Sequence, residues 1–361
     1  MRVGVDGSNM RFQRTGLGRF EAGLLPALAT EINPDDSLFV YYNSFRAEPL
    51  FPAHVRERFV RMPRPTAWNQ LGVPVAVSLD SCDVYLGTAN IVPVRGRFPK
   101  VLWVHDCMAF ADPGAKPGSA GRYLRRWMAA SARAATRVVA QSHWTAEQCE
   151  LHLGLSVADI AVISPGVDGL FGPEPTEPGE EASVRSQLGI AAPYVLHVGG
   201  FELHKGGAHL ARAIEILRGR GRDLALVRCG GKGPDSGRAG AIDLGFVDEH
   251  SLAILYRHAL AVCVPSQYEG FGLPVLEAMA SGVPVVASRA GGLPEAGGAA
   301  AIFVEPGDSE GLAAALDCLL SDPNERARRR GAGLEHVKGF TWTAAAQKVL
   351  ALLAEVAGEK S

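Results

Sequence analysis

"AVCVPSQYEGFGLPVLEAMASGVPVVASRA", residues 261–290, holds one full alternation of structural periods. A short apolar run ends at Ser266, and a glycine-rich turn follows from Gln267 to Gly272. Pro274 then stands where a helix can begin, because its missing N–H would go unpaired there anyway. The helix runs through Glu277 to Ser281, with Gly282 just past its end, and "PVVASRA" reads as a second buried strand. Strands made almost wholly of Val, Ile and Ala, joined by a helix, predict parallel neighbours covered on both faces.

The same alternation extends outward in both directions. "MRVGVD", "SLFVYY", "CDVYLGT", "KVLWVHD" and "TRVVAQS" are the strands expected in the first half, and "AVISPG", "YVLHVGG", "LALVRCG", "AVCVPS", "PVVASRA" and "AIFVEPG" those of the second. A chain of 361 residues exceeds the roughly 250–300 at which one hydrophobic core stops growing. Two doubly wound α/β domains are therefore expected. Residues 165–185, rich in Pro, Gly and Glu and without periodicity, suit an exposed linker, which puts the domains at 1–172 and 173–340. The last segment, "FTWTAAAQKVLALLAEVA", is a helix capped by Thr341 or Thr343 with Val349, Leu352 and Val356 on one face, able to close either domain.

Composition narrows the function. Hydrophobic residues at 47% and charged ones at 20% exclude a disordered or fibrous chain. A net charge of −2 gives no pull toward nucleic acid, so an anionic ligand needs a local site. The N-terminus lacks the apolar stretch of a signal peptide, and no run approaches the roughly 20 apolar residues of a membrane span. The six cysteines form no CxxC pair, so neither a zinc site nor a disulfide framework is indicated. A reduced, cytoplasmic protein is expected.

Strand ends are where open α/β sheets bind ligands. After "AVCVPS", the flexible Gly270 and Gly272 and the free N–H groups of the helix start offer a phosphate site. Glu277, a turn inside that helix, could merely favour the helix dipole, an effect of about 0.3–1 kcal/mol. Glu269 precedes the turn and is placed to accept hydrogen bonds from hydroxyls, each contributing about 1.5–3 kcal/mol to a charged group. Phosphate on the helix and polyol on the carboxylates together describe a sugar nucleotide. "RTGLGR" at 14–19 opens another helix with glycines that allow close backbone approach, although taken alone they are better explained by a plain turn. Lys205 follows "YVLHVGG" and is either a solvated loop lysine or a point charge for a diphosphate. His105 and Asp106 end "KVLWVHD", where a histidine is often only a hydrogen-bonded structural residue. No Asp-x-Asp occurs, so a dedicated divalent-metal clamp is not suggested and metal independence is expected. "RYLRRWMAASARAATR", residues 122–137, is a basic amphipathic helix, equally a surface helix or a contact for anionic lipid.

Glu269, seven residues, then Glu277, within "EGFGLPVLEAMASGVPVVAS", resembles the signature of retaining glycosyltransferases of family 4, which have the GT-B fold. "TGLGRF", "VHD", "SHWT", "VISPGVD", "HVGGFELHKGG", "LGFVDEHSLAILYRHA" and "GGLPE" agree with the same family in the same order, over nearly the whole chain. The resemblance implies two Rossmann-like domains facing across a cleft, the first for the acceptor and the second for a nucleoside diphosphate sugar, GDP- or UDP-linked. It implies that the final helix, 341–361, crosses back to the first domain. No further cofactor is required, and the acceptor is a glycan, a lipid-linked or a small molecule. Carried residue by residue, it implies that Gly16 and Gly18 border the diphosphate, that Lys205 stabilises the leaving group, and that His105 borders the reacting centre. Glu269, with the backbone of Gly270, Phe271, Gly272 and Leu273, holds sugar hydroxyls, while Glu277 binds the ribose. Gly231 with Phe246 and Val247 lines the base, beside the "CGGKG" loop and its Lys232. The family pairs its lysine with an arginine at one of two positions, here Gly200 and His204; His204, Arg14 or Arg19 could substitute. A mannosyl donor fits "GLGRF" and "VHD" best. A sugar-nucleotide 2-epimerase and a non-catalytic nucleotide-sugar binding protein are the alternatives, and no oligomeric state follows from the sequence.

Overall fold

The computed structural model describes residues 1–10, 15–43, 50–114, 117–175, 178–189, 193–200, 202–231 and 240–358. The chain forms two compact units, Met1–Gly166 with Trp342–Ser361, and Val167–Thr341. Arg14 and Lys232 lie outside the described residues.

The first unit is built on a parallel sheet of β1 (Arg2–Asp6), β2 (Ser37–Tyr42), β3 (Val55–Phe59), β4 (Val84–Gly87), β5 (Lys100–Val104), β6 (Arg137–Ala140) and β7 (Ile160–Val162), in the order β3-β2-β1-β4-β5-β6-β7. Leu38, Phe39, Val40 and Tyr41 are all buried although they alternate faces, because apolar clusters cover both sides of the sheet. Thr15 caps the helix Gly16–Glu31 by accepting from the Gly18 N–H at 3.1 Å. That helix buries Phe20, Leu24, Leu25 and Leu28. The helix Trp342–Gly358 belongs to this unit and packs along it. Trp342 fills the space over Gly23, where a Cβ would come within 2.1 Å of its ring.

The second unit carries β8 (Tyr194–Val198), β9 (Ala225–Cys229), β10 (Ile242–Gly245), β11 (Ala261–Val264), β12 (Val285–Ser288) and β13 (Ile302–Val304), parallel throughout and ordered β10-β9-β8-β11-β12-β13. Strand order reverses between β1 and β4 in one unit and between β8 and β11 in the other. Those two reversals are the switch points at which such sheets bind ligands.

Two Rossmann-like parallel units agree with the expectation, and four details do not. "AVISPG" supplies β7, the edge of the first sheet, rather than a strand of the second. Strands β3 and β10 escaped notice because "VRERF" and "IDLG" carry charges, which edge strands tolerate. The expected linker 165–185 ends in the helix Glu180–Leu188, and its first residue is buried against Arg257 and His258. In the final helix the buried face runs through Val349, Leu353 and Val356, leaving Leu352 only half-buried.

Candidate functional site

In the second unit the end of β11 leads through Pro265 and Ser266 to the turn that carries Glu269. The loop Gly291–Gly292 presses on that turn: a Cβ at Gly291 would stand 2.1 Å from the Glu269 carbonyl oxygen, and Gly291 has a φ of +59° that L side chains rarely adopt. The Gly292 N–H donates to the same carbonyl at 2.9 Å. Glu269 is thereby fixed in place just before the helix Leu273–Ala280, with Pro274 in its first turn. Phe271 is buried in the core against Phe340, Gly270 and Gly272 are buried on either side of it, and Leu273 is half-buried.

Sixty-four residues earlier in sequence, the loop after β8 closes over Pro265. A Cβ at Gly206 would lie 2.0 Å from the Pro265 carbonyl oxygen, and Gly206 has φ +70°. The Gln267 N–H donates to the His204 carbonyl at 2.7 Å, joining loop to turn. Lys205 Nζ then donates to Glu269 Oε1 at 2.8 Å, and Ser266 Oγ donates to the same oxygen at 3.0 Å. Two of the sequence-derived site residues therefore meet in one half-buried ion pair at the β8/β11 switch point. Glu277, 3% exposed, accepts a 2.7 Å hydrogen bond from the Tyr256 hydroxyl. His204 supplies a backbone contact here, and its ring is half-buried.

Gly231 follows β9 and is half-buried; Phe246 follows β10 with 55% of its surface exposed, and Val247 packs partly on the core. The ends of β8, β9 and β10 interlock through backbone, with Gly230 N–H donating to the Gly245 carbonyl at 2.8 Å. Of these, Phe246 alone presents an exposed aromatic face.

Gly16, Gly18 and His105 belong to the first unit. Gly18 is buried and tied to Thr15, whereas a Cβ added at exposed Gly16 would meet nothing within 4 Å. His105 Nε2 must carry the proton, because it lies 2.6 Å from the Thr88 carbonyl, which can only accept. Its Nδ1 faces Gln141 Oε1 at 3.2 Å, while Gln141 Nε2 donates to the His105 carbonyl at 2.6 Å. Burial pulls the His105 pKa below its ordinary value, so the ring is neutral at physiological pH. The Nε2 proton is spent on the Thr88 carbonyl, so Nδ1 carries the lone pair. The imidazole ties the end of β5 to that of β4, and the Gln141 amide ties it to β6 through the His105 carbonyl. Asp106 caps the following turn through the Met108 N–H at 2.9 Å.

Several polar residues at these switch points were missed by the sequence reading. Beneath β1 and β4, buried Glu21 accepts from Thr88 Oγ1 at 2.7 Å and from the backbone and side-chain nitrogens of Asn9, both at 2.8 Å. Buried Asp6 stands close enough that burial and mutual repulsion raise the Glu21 carboxyl well above the usual range. In the second unit His197, Arg228 and Asp243 form one row across β8, β9 and β10. The available signal was a polar residue interrupting an otherwise apolar strand, as in "YVLHVGG" and "LALVRCG".

Both units are similar to known proteins. Residues 181–336 match the family "Glycosyl transferases group 1", and residues 80–169 match "Glycosyltransferase Family 4". A curated D-inositol 3-phosphate glycosyltransferase of Nocardia farcinica is 33% identical over 280 residues, 71% of this chain and 61% of that protein. The protein of the same name from Corynebacterium diphtheriae is 35% identical over 228 residues, 57% of this chain and 53% of its own length. The chain thus spans about half to three fifths of the curated relatives it matches. Among solved structures, Anabaena Alr3699/HepE in complex with UDP-glucose superposes with a TM-score of 0.75 at 19% identity, covering 98% of this chain and 100% of that one, a likeness of fold alone. With matches in both units and the GT-B architecture common to these neighbours, the chain belongs to the group 1, family 4 type of glycosyltransferases.

Proposed function

We propose that this chain transfers a hexosyl group from a nucleoside diphosphate sugar to an acceptor hydroxyl with retention at the anomeric carbon. In this reading the second unit holds the donor and the first the acceptor. The bond between the anomeric carbon and the β-phosphate oxygen breaks, and the acceptor oxygen attacks from the same face. Its proton passes to the departing phosphate. Lys205 meets the charge that develops on the diphosphate, Glu269 accepts from sugar hydroxyls, and Glu277 accepts from the ribose. Phe246 offers a face for the base. The observation that carries the reading is the meeting of Lys205 with Glu269 at the β8/β11 switch point, since it sets a phosphate ligand and a polyol ligand side by side.

The name of the curated relatives supports a small phosphorylated cyclitol as the first acceptor to try, D-inositol 3-phosphate itself. Mannosyl donors and glycan or lipid-linked acceptors follow from the resemblance of the sequence; for a lipid-linked one, exposed Arg122 and Arg126 beside Trp127 give a basic face toward anionic membrane. No described helix is long and apolar enough to cross a membrane. Helix N-termini and Lys205, rather than a protein-held metal, neutralise the diphosphate.

The test is nucleoside diphosphate release from GDP-, UDP-, ADP- and dTDP-hexoses, with and without D-inositol 3-phosphate, in the presence of a chelator. Acceptor-dependent release with an axial or equatorial product bond matching that of the donor is expected. Donor binding without turnover across the whole panel would instead establish the non-catalytic binding protein.

A further inference from the structure

His197 and Arg228 stand opposite each other in the register of β8 and β9, and Asp243 stands opposite Arg228 on β10. All three therefore point to one face of the sheet at one depth. Arg228, with no side-chain surface exposed, is held by Asp243 through 2.6 Å and 2.9 Å hydrogen bonds. His197 is 2% exposed, and its Nδ1 lies 3.0 Å from the Cys263 carbonyl of β11. A carbonyl only accepts, so the proton sits on Nδ1 and Nε2 keeps its lone pair. That buried Nε2 has no hydrogen-bond partner among the described residues.

The row lies directly under the loop that carries Lys205. A Cβ at Gly199 would be 3.9 Å from His197 Nε2, and a Cβ at Gly207, first residue of the helix Gly207–Gly219, would be 3.9 Å from Arg228 Nη1. The unpartnered nitrogen therefore lies against the glycine turn that follows β8, and Arg228 in the same row lies against the first residue of a thirteen-residue helix. The charged groups that face it are Lys205, Arg228 and Glu269.

We propose that a nucleoside diphosphate seated beside Gly199 and Lys205 is met by a protonated His197, so that binding draws one proton from solvent onto Nε2. This rests on the donor reading above and deepens it, because the proton adds a positive charge beside that of Lys205. Without ligand, burial and the neighbouring Lys205 and Arg228 keep the ring neutral. A diphosphate brings negative charge over the same spot, reverses the sign of the local potential, and gives the orphaned Nε2 an anion to face.

The experiment is calorimetric titration of the whole chain with UDP-glucose and GDP-mannose, whose doubly substituted diphosphates have no group titrating near neutrality. Each titration is run at one neutral pH in phosphate and in Tris, buffers of very different ionisation enthalpy. The expected result is an apparent enthalpy that differs between buffers by about one proton per site, with affinity falling about tenfold per pH unit within the window between the pKa of the free ring and that of the bound ring, and levelling off above it. His197→Asn, whose amide can keep the donation to the Cys263 carbonyl, should bind more weakly and lose both dependences. Equal enthalpies in the two buffers overturn the proposal while leaving the donor site standing. Failure of both sugar nucleotides to bind removes the donor reading and the proposal with it. Persistence of proton uptake in His197→Asn also overturns it, and should that variant not fold, the His197 Nε2 nitrogen resonance of the wild-type protein decides: a shift to the protonated position on ligand addition is expected, and none refutes it.

Discussion

Replacing Lys205 by methionine removes the ammonium while keeping the length of the side chain, and the structure separates two consequences. In the free protein, Glu269 loses the 2.8 Å donor and keeps the Ser266 hydroxyl at 3.0 Å. Both side chains of the pair are mostly buried, so the loss is larger than for a surface ion pair, about 1–3 kcal/mol of stability in the second unit. Under the proposed function Lys205 is the donor that meets the departing diphosphate, and removing one such preorganised donor costs about 2.7–4 kcal/mol, or roughly a hundred- to a thousandfold in kcat. Steady-state release of nucleoside diphosphate measures the second effect, and thermal unfolding of the same preparation measures the first. Glu269→Gln and the double variant complete a cycle. If the pair is only a structural tie, removing both partners relieves the unpaired charge and restores turnover. If both residues serve the ligand, the double variant is at least as impaired as either single one. Turnover of Lys205→Met within tenfold of the wild type, or its rescue by Glu269→Gln, would refute the assignment.

Tyr256→Phe removes the hydroxyl that donates to buried Glu277, so nucleotide affinity and unfolding free energy should each fall, the latter by about 1.5–3 kcal/mol in a denaturant titration. Gly291→Ala places a Cβ against the Glu269 carbonyl at a positive φ, and should abolish donor binding with the fold retained by circular dichroism. Glu21 has its carboxyl pKa raised by burial and by Asp6, so the folded state holds more protons than the unfolded one above the ordinary carboxylate range of about 4; stability is therefore present at low pH and lost as pH rises. Glu21→Gln should flatten that slope, seen as unfolding midpoints that vary less between mildly acidic and alkaline buffers. Gly23→Ala forces the Trp342 ring off the helix Gly16–Glu31 and should lower the unfolding midpoint of the first unit, at about 1–3 kcal/mol and roughly 2–4 °C per kcal/mol.

What could be read in the sequence was whatever is local. The turn from Ser266 to Gly272, the helix behind it and the position of Glu277 one turn inside follow from a few neighbouring residues, and the structure has them at Leu273–Ala280. The contact of Lys205 with Glu269 spans sixty-four residues and arises from the adjacency of β8 and β11, a matter of strand order. The row His197, Arg228 and Asp243 exists only through register between three strands, and each member alone looks like an interruption of an apolar run. Sheet membership failed for the same reason: "AVISPG" is a good buried strand, and nothing within it says which of two similar sheets it joins. The expected linker misled because Glu180 owes its burial to Arg257 and His258, far along the chain. His105 was recognisable as a residue at a strand end, but its engagement with Thr88 and Gln141 on both flanks was not.

The helix Trp342–Gly358 gives the first unit an unusual order of assembly. Its Ala345, Ala346, Val349, Leu353 and Val356 complete the cluster begun by Val3, Phe20 and Leu24. During synthesis the first unit therefore waits, with an apolar strip along Gly16–Glu31 uncovered, until the whole second unit has left the ribosome. The second unit has its own uninterrupted stretch of chain and can close first. A nascent chain stalled before residue 342 should accordingly display a folded second unit and a first unit that chaperones still hold, the reverse of the usual N-to-C sequence of domain folding.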